Sequence, residues 1–140
     1  MNSIKCLALA IVLMGFSQIL GTTLVTVNLN KCTTNTCTLK QTVDKNELVQ
    51  LDIIHEKGSD ATIYWDVVAH KYYSDSGALN LGSYEREKIT EKGQVVGSSI
   101  YFDLFNVTPG SIKINIQKFR PNGTAFTSEG DKRTIIFNVK

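Results

Sequence analysis

Apolar and polar residues alternate along several short stretches of this chain. Between Ser111 and Phe119, Ile112, Ile114 and Ile116 fall on one side of an extended backbone, and Lys113, Asn115 and Gln117 on the other. A period of two means a strand with one buried face. The stretch runs into Arg120-Pro121-Asn122-Gly123. Proline cannot donate to a ladder and Asn-Gly tolerates positive φ, so pairing is expected to stop there. A polar loop is expected as far as Asp131, followed by a final strand from Thr134 to Val139. Two strands that hold out a loop make a binding architecture.

The same reading applies upstream. Leu24 to Leu29 is rich in β-branched residues, and Thr38 to Val43 alternates less clearly. Glu47 to Ile54 follows a polar turn at Asp44-Lys45-Asn46. Ala61 to Val68 places Ile63, Trp65 and Val67 on one face, and Trp65 reads as a core residue joining two sheets. Ser99 to Val107 sets Tyr101 and Asp103 against Ile100, Phe102 and Leu104. Leu79 to Glu91 has the composition of a short exposed helix, but its Leu79 and Leu81 also fit a strand, and extended structure is favoured. Seven or eight short strands separated by turn residues predict an all-β fold, a sandwich or barrel.

The N-terminus carries a different signal. Lys5 precedes an apolar run from Leu7 to Met14, and small or polar residues follow to Gly21. This is the pattern of a secretory signal, with cleavage near Gly21. The apolar run is too short for a membrane anchor. Residues 22–140 are then expected to form one domain. The formal charge of +2 becomes +1 once Lys5 is removed. That balance does not favour nucleic acid or anionic lipid as a partner. Cys6 lies in the leader, and Cys32 and Cys37 remain as a pair expected to form a local disulfide in an oxidising compartment. The expected location is extracellular or the lumen of the secretory and endolysosomal pathway.

Catalytic signatures are missing: the sequence has no nucleophile elbow, zinc-protease helix motif, phosphate loop or calcium loop. His55, at a strand end beside Glu56-Lys57, reads as a solvated loop histidine. Neither histidine has a ligand-like spacing to the cysteines, so no metal or cofactor is expected. The chain is read as a non-enzyme. Asn122-Gly-Thr and Asn106-Val-Thr match the N-glycosylation pattern, the second weakened by Pro109.

From about Val43 onward the order of features resembles the chagasin-type inhibitors of papain-like cysteine peptidases. The residues that carry the resemblance are Asn46-Glu-Leu-Val-Gln-Leu-Asp-Ile, the aromatic-bearing strand at Trp65, a glycine-containing loop before Tyr101, Arg120-Pro121, and the Arg133-Thr134 start of the last strand. The resemblance implies an immunoglobulin-like antiparallel β-sandwich with three loops at one end. In that family the central loop enters the peptidase cleft and covers the catalytic thiol, and two flanking loops grip the rims. Carried onto this chain, the central loop is about His55 to Thr62, the second about Lys92 to Ser99, and the third starts at Arg120-Pro121. Lys57, Gly58, Ser59 and Asp60 would approach the thiol; Gly97, Ser98, Arg120 and Pro121 would contact the rims. The family's central loop usually contains a proline and its third loop an aromatic after Arg-Pro; here the first is absent and Asn122 takes the place of the second. The implied function is a monomeric protein inhibitor of a papain-like peptidase. The alternative is a non-inhibitory β-sandwich binding or adhesion module.

Overall fold

A computed structural model describes residues 21–140 apart from Phe105, Gly123 and Thr124, and leaves the side chains of residues 122–129 undescribed. The proposed leader therefore lies outside the described residues, as does most of the Asn122 glycosylation pattern. The structure is all-β, and among the described residues ten strands form two packed sheets. They are β1 (Thr22–Asn28), β2 (Thr36–Val43), β3 (Leu48–Ile54), β4 (Tyr64–Val67), β5 (Lys71–Ser74), β6 (Gly77–Asn80), β7 (Gly82–Glu91), β8 (Gln94–Asp103), β9 (Gly110–Asn122) and β10 (Ala125–Val139). A four-stranded sheet has the order β1-β3-β8-β7, and a six-stranded sheet the order β2-β10-β9-β5-β6, with β4 also paired to β9. The strands beyond the expected seven or eight come from the segment between Lys71 and Glu91, where alternation is weakest. No helix among the described residues is long and apolar enough to cross a membrane.

The period-two faces define the core. Ile112, Ile114 and Ile116 of β9 are wholly buried, as are Val49, Leu51 and Ile53 of β3 and Ile100 and Phe102 of β8. Each such side chain contributes about 1.5–3 kcal/mol of transfer free energy, so register is strongly fixed. Trp65 packs in the same cluster, 2% exposed. β4 links the two sheets. It pairs with β9 on one side, while its Trp65 and Val67 amides donate to the hydroxyls of Ser98 on β8 and Tyr84 on β7.

Two features differ from a purely antiparallel sandwich. β1 runs parallel to β3, and β2 runs parallel to β10. The chain leaves the first sheet after β1, crosses at residues 29–35 and returns along the second sheet as β2. A connection that changes sheets is free of the hairpin constraint that makes sequential strands antiparallel. Gln41 of β2 bridges the two edges: its amide donates to Leu24 O, and the Thr26 amide donates to its Oε1.

The expectation that pairing stops at Arg120-Pro121 is corrected. β9 and β10 stay in register through Pro121↔Phe126 and Asn122↔Ala125. A proline fits a strand where its nitrogen faces no partner. On the other flank the β4–β9 ladder already ends at Tyr64↔Phe119, so no donor is needed beyond it. The expected polar loop to Asp131 is mostly strand, broken by a bulge between Ser128 and Lys132 in which Gly130 adopts φ +81°.

Candidate functional site

Strand directions decide what meets at each end of the sandwich. The end at which β3 finishes carries the connection 55–63 that leads into β4. On one flank lies the β7–β8 hairpin, and on the other the β1–β2 connection 29–35. The paired ends of β9 and β10, at Arg120 to Asn122, reach the same end from the second sheet, because β4 starts beside Phe119. The structure thus gathers the three sequence-proposed regions, together with a fourth loop that sequence reasoning did not assign to the site.

The central connection is shaped by side chains. Asn30 brackets it: its Nδ2 donates to His55 O at 3.0 Å, and its Oδ1 accepts from the Lys57 amide at 2.7 Å. Gly58 turns the chain at φ +83°, a conformation that suits glycine. The Ser59 hydroxyl donates to Glu56 O, and the Asp60 carboxylate accepts from both the amide and the hydroxyl of Thr62. Those bonds, and then the Arg120 guanidinium, hold the Asp60 carboxyl below its ordinary range. Arg120 reaches Asp60 at 3.2 Å and so ties the third hairpin to the central connection. Lys57, Gly58, Ser59, Asp60, Arg120 and Pro121 are all exposed here.

Gly97 and Ser98 are placed differently. Both lie inside β8, where Gly97 pairs with Ile54 and Ile89, and both are buried. A Cβ on Gly97 would come within 2.5 Å of Ile53 O, so this glycine permits close strand approach and makes no flexible loop. Ser98 is 1% exposed and cannot reach a partner's rim. The exposed tip on this flank is the turn Lys92-Gly93, with φ of 49° and 77°, as a two-residue hairpin turn with both central φ positive requires.

His55 is also corrected. It is 5% exposed, its Nε2 lies 3.0 Å from the Ser98 hydroxyl, and its amide donates to Val96 O. Burial, and then the nearby Lys118 ammonium, push the imidazole pKa down, so the ring is neutral near pH 7. Paired with a hydroxyl in this way it resembles a base and nucleophile, but a serine this buried meets no substrate. The pair instead anchors the base of the central connection beside Trp65.

Arg133 is the residue that sequence reasoning left without a structural role. Its guanidinium donates to Cys32 O at 2.9 Å, lies 3.5 Å from Glu56 and 3.4 Å from Asp131, and sits 5.7 Å from the Trp65 ring. One side chain thus joins the fourth loop, the central connection and the third hairpin. The fourth loop is closed by the Cys32–Cys37 disulfide. Among the described residues no three His, Cys, Asp or Glu side chains converge as a metal site would require. Asn106 is exposed at φ 58°.

The sequence matches no family model and no curated protein. Two solved structures are similar in fold. The cysteine protease inhibitor EhICP2 from Entamoeba histolytica is 11% identical over 85% of this chain and 97% of its own, with a TM-score of 0.47. PbICP-C, solved in complex with falcipain-2, is 16% identical over 86% of this chain and 98% of its own, with a TM-score of 0.40. At these identities and scores the likeness carries no argument about function.

Proposed function

We propose that this protein inhibits papain-like cysteine peptidases by filling the active-site cleft with the central connection, residues 55–63. The observation that carries this reading is the gathering of that connection with the Lys92-Gly93 turn and the Arg120-Pro121 hairpin at one end. The clamps from Asn30, Arg120 and Arg133 support it further, because a loop already ordered loses little entropy on binding. Lys57 to Asp60 would face the catalytic thiol. Arg120 and Pro121 would contact one rim, and the Lys92-Gly93 turn takes the place of Gly97 and Ser98 on the other. Action in an oxidising compartment is part of the proposal, and the disulfide supports it.

The test is a titration of the purified protein into several papain-like peptidases with a fluorogenic peptide. Inhibition at nanomolar to low micromolar concentration is expected, and Arg120→Ala should weaken it about fivefold or more. A second reading, a sandwich that binds through other surfaces, draws on the burial of Gly97 and Ser98, which leaves no glycine-rich second loop. Absence of inhibition across the panel would favour it.

A further inference from the structure

The nearly neutral net charge conceals a segregation. On the outer face of the four-stranded sheet, the rows of paired residues through Gln50, Asp52 and Ile54 carry three acids, Asp52, Glu85 and Glu87, and no lysine or arginine. The loop end is opposite in character. Among the described side chains, its acids Glu56, Asp60 and Asp131 are each tied to Arg133, Arg120 or Lys118. Lys31, Lys57 and Lys92 are exposed, and among the described residues none of them forms an ion pair. Glu91, beside Lys92, is the exposed acid there that likewise forms no ion pair among the described residues.

The three lysines come from three loops. Lys31 is on the disulfide-closed connection, Lys57 on the central one and Lys92 on the β7–β8 turn. The 2.7 Å bond from the Lys57 amide to Asn30 sets the first two loops side by side, and the strand order β1-β3-β8-β7 puts Lys92 on the far flank. The fourth loop is itself held in shape, by the disulfide, by the Cys32 amide donating to Asn28 O, and by Asn35 O accepting from the Thr134 amide at 2.7 Å. We infer that these lysines form a cationic rim, with the disulfide-closed loop as one of its three elements, that recognises an electronegative surface around the peptidase cleft. This rests on the proposed inhibitory function and names the class of peptidase it selects. Cations spread around a preformed loop raise the encounter rate with an acidic partner more than they deepen the final complex, and salt screens them over about 8 Å at physiological ionic strength.

The test is stopped-flow association with two papain-like peptidases, one of net negative and one of net positive surface charge, at low and high salt. Association with the acidic enzyme should be faster and should slow roughly tenfold as salt rises. Lys31→Gln alone, which leaves the assigned cleft and rim contacts in place, should slow association about threefold at low salt with dissociation within about twofold of the parent. The Lys31→Gln/Lys57→Gln/Lys92→Gln variant should lose most of the salt dependence and associate about tenfold more slowly at low salt. Its circular dichroism and melting temperature should match the parent, which separates steering from misfolding. A variant that associates with the acidic enzyme as fast as the parent would overturn the cationic rim alone. A parent protein that binds neither enzyme would overturn the rim and the inhibitory function together.

Discussion

The central connection and the β9–β10 hairpin reach the same end of the molecule by opposite means. The hairpin is held by its backbone: the ladder runs through Asn122↔Ala125, broken only by the bulge at Gly130. The connection 55–63 lies between strands in different sheets, and its shape comes from Asn30, Asp60, Arg120 and Arg133. Backbone pairing tolerates most side chains, so a ladder keeps its shape as sequence drifts. A loop held by side chains depends on particular residues, several of them far away in the chain. Such a clamp holds the connection 55–63 in shape without a proline.

Trp65→Ala should abolish the contrast. The ring packs in the core cluster, 5.7 Å from the Arg133 guanidinium that touches both regions, and its loss should cost about 3–5 kcal/mol in denaturant unfolding while loosening both alike. Arg133→Met keeps most of the packing and removes three polar contacts. It should cost about 2 kcal/mol and speed amide exchange in residues 55–63 while residues 111–117 stay protected. Equal loosening of both would mean that the hairpin also relies on the clamp. Replacing Cys32 and Cys37 by serine should cost on the order of 2 kcal/mol, with faster exchange at Lys57 and a weaker inhibition constant.

The smallest effect is that of pH. His55 has a lowered pKa in the folded state and recovers about 6.5 on unfolding. Between those values the unfolded chain binds the extra proton, so this contribution is complete above about pH 6.5 and is lost as pH falls below it. Denaturant midpoints should therefore decline from about pH 7.5 to about pH 5, and His55→Gln should flatten that decline. An unchanged slope would show that other groups set the acid sensitivity.

Much of the sandwich was legible, because burying one face imposes a period of two. The isoleucines of β9 and the pattern around Trp65 identify their strands without help. Strand direction at the edges was not legible, since β1 and β2 take their partners from distant chain and periodicity says nothing about which way a partner runs. Pro121 misled because the cost of a proline depends on which flank its nitrogen faces, which only the end of β4 decides. Gly97 misled for a related reason: a glycine demanded by close backbone approach reads the same as one in a mobile turn. The burial of His55 and the links of Arg133 to Cys32 and Glu56 rest on contacts between residues tens of positions apart, and no local pattern encodes them.

The central claim is physical occlusion of a thiol, and alkylation of that thiol tests it most directly. A papain-like peptidase inhibited by this protein should be incubated with saturating protein and then with iodoacetamide, and the rate of catalytic cysteine modification measured. The account predicts strong protection, with this protein recovered uncut after prolonged incubation. Alkylation at the rate of the free enzyme, or cleavage between Glu56 and Thr62, would contradict it.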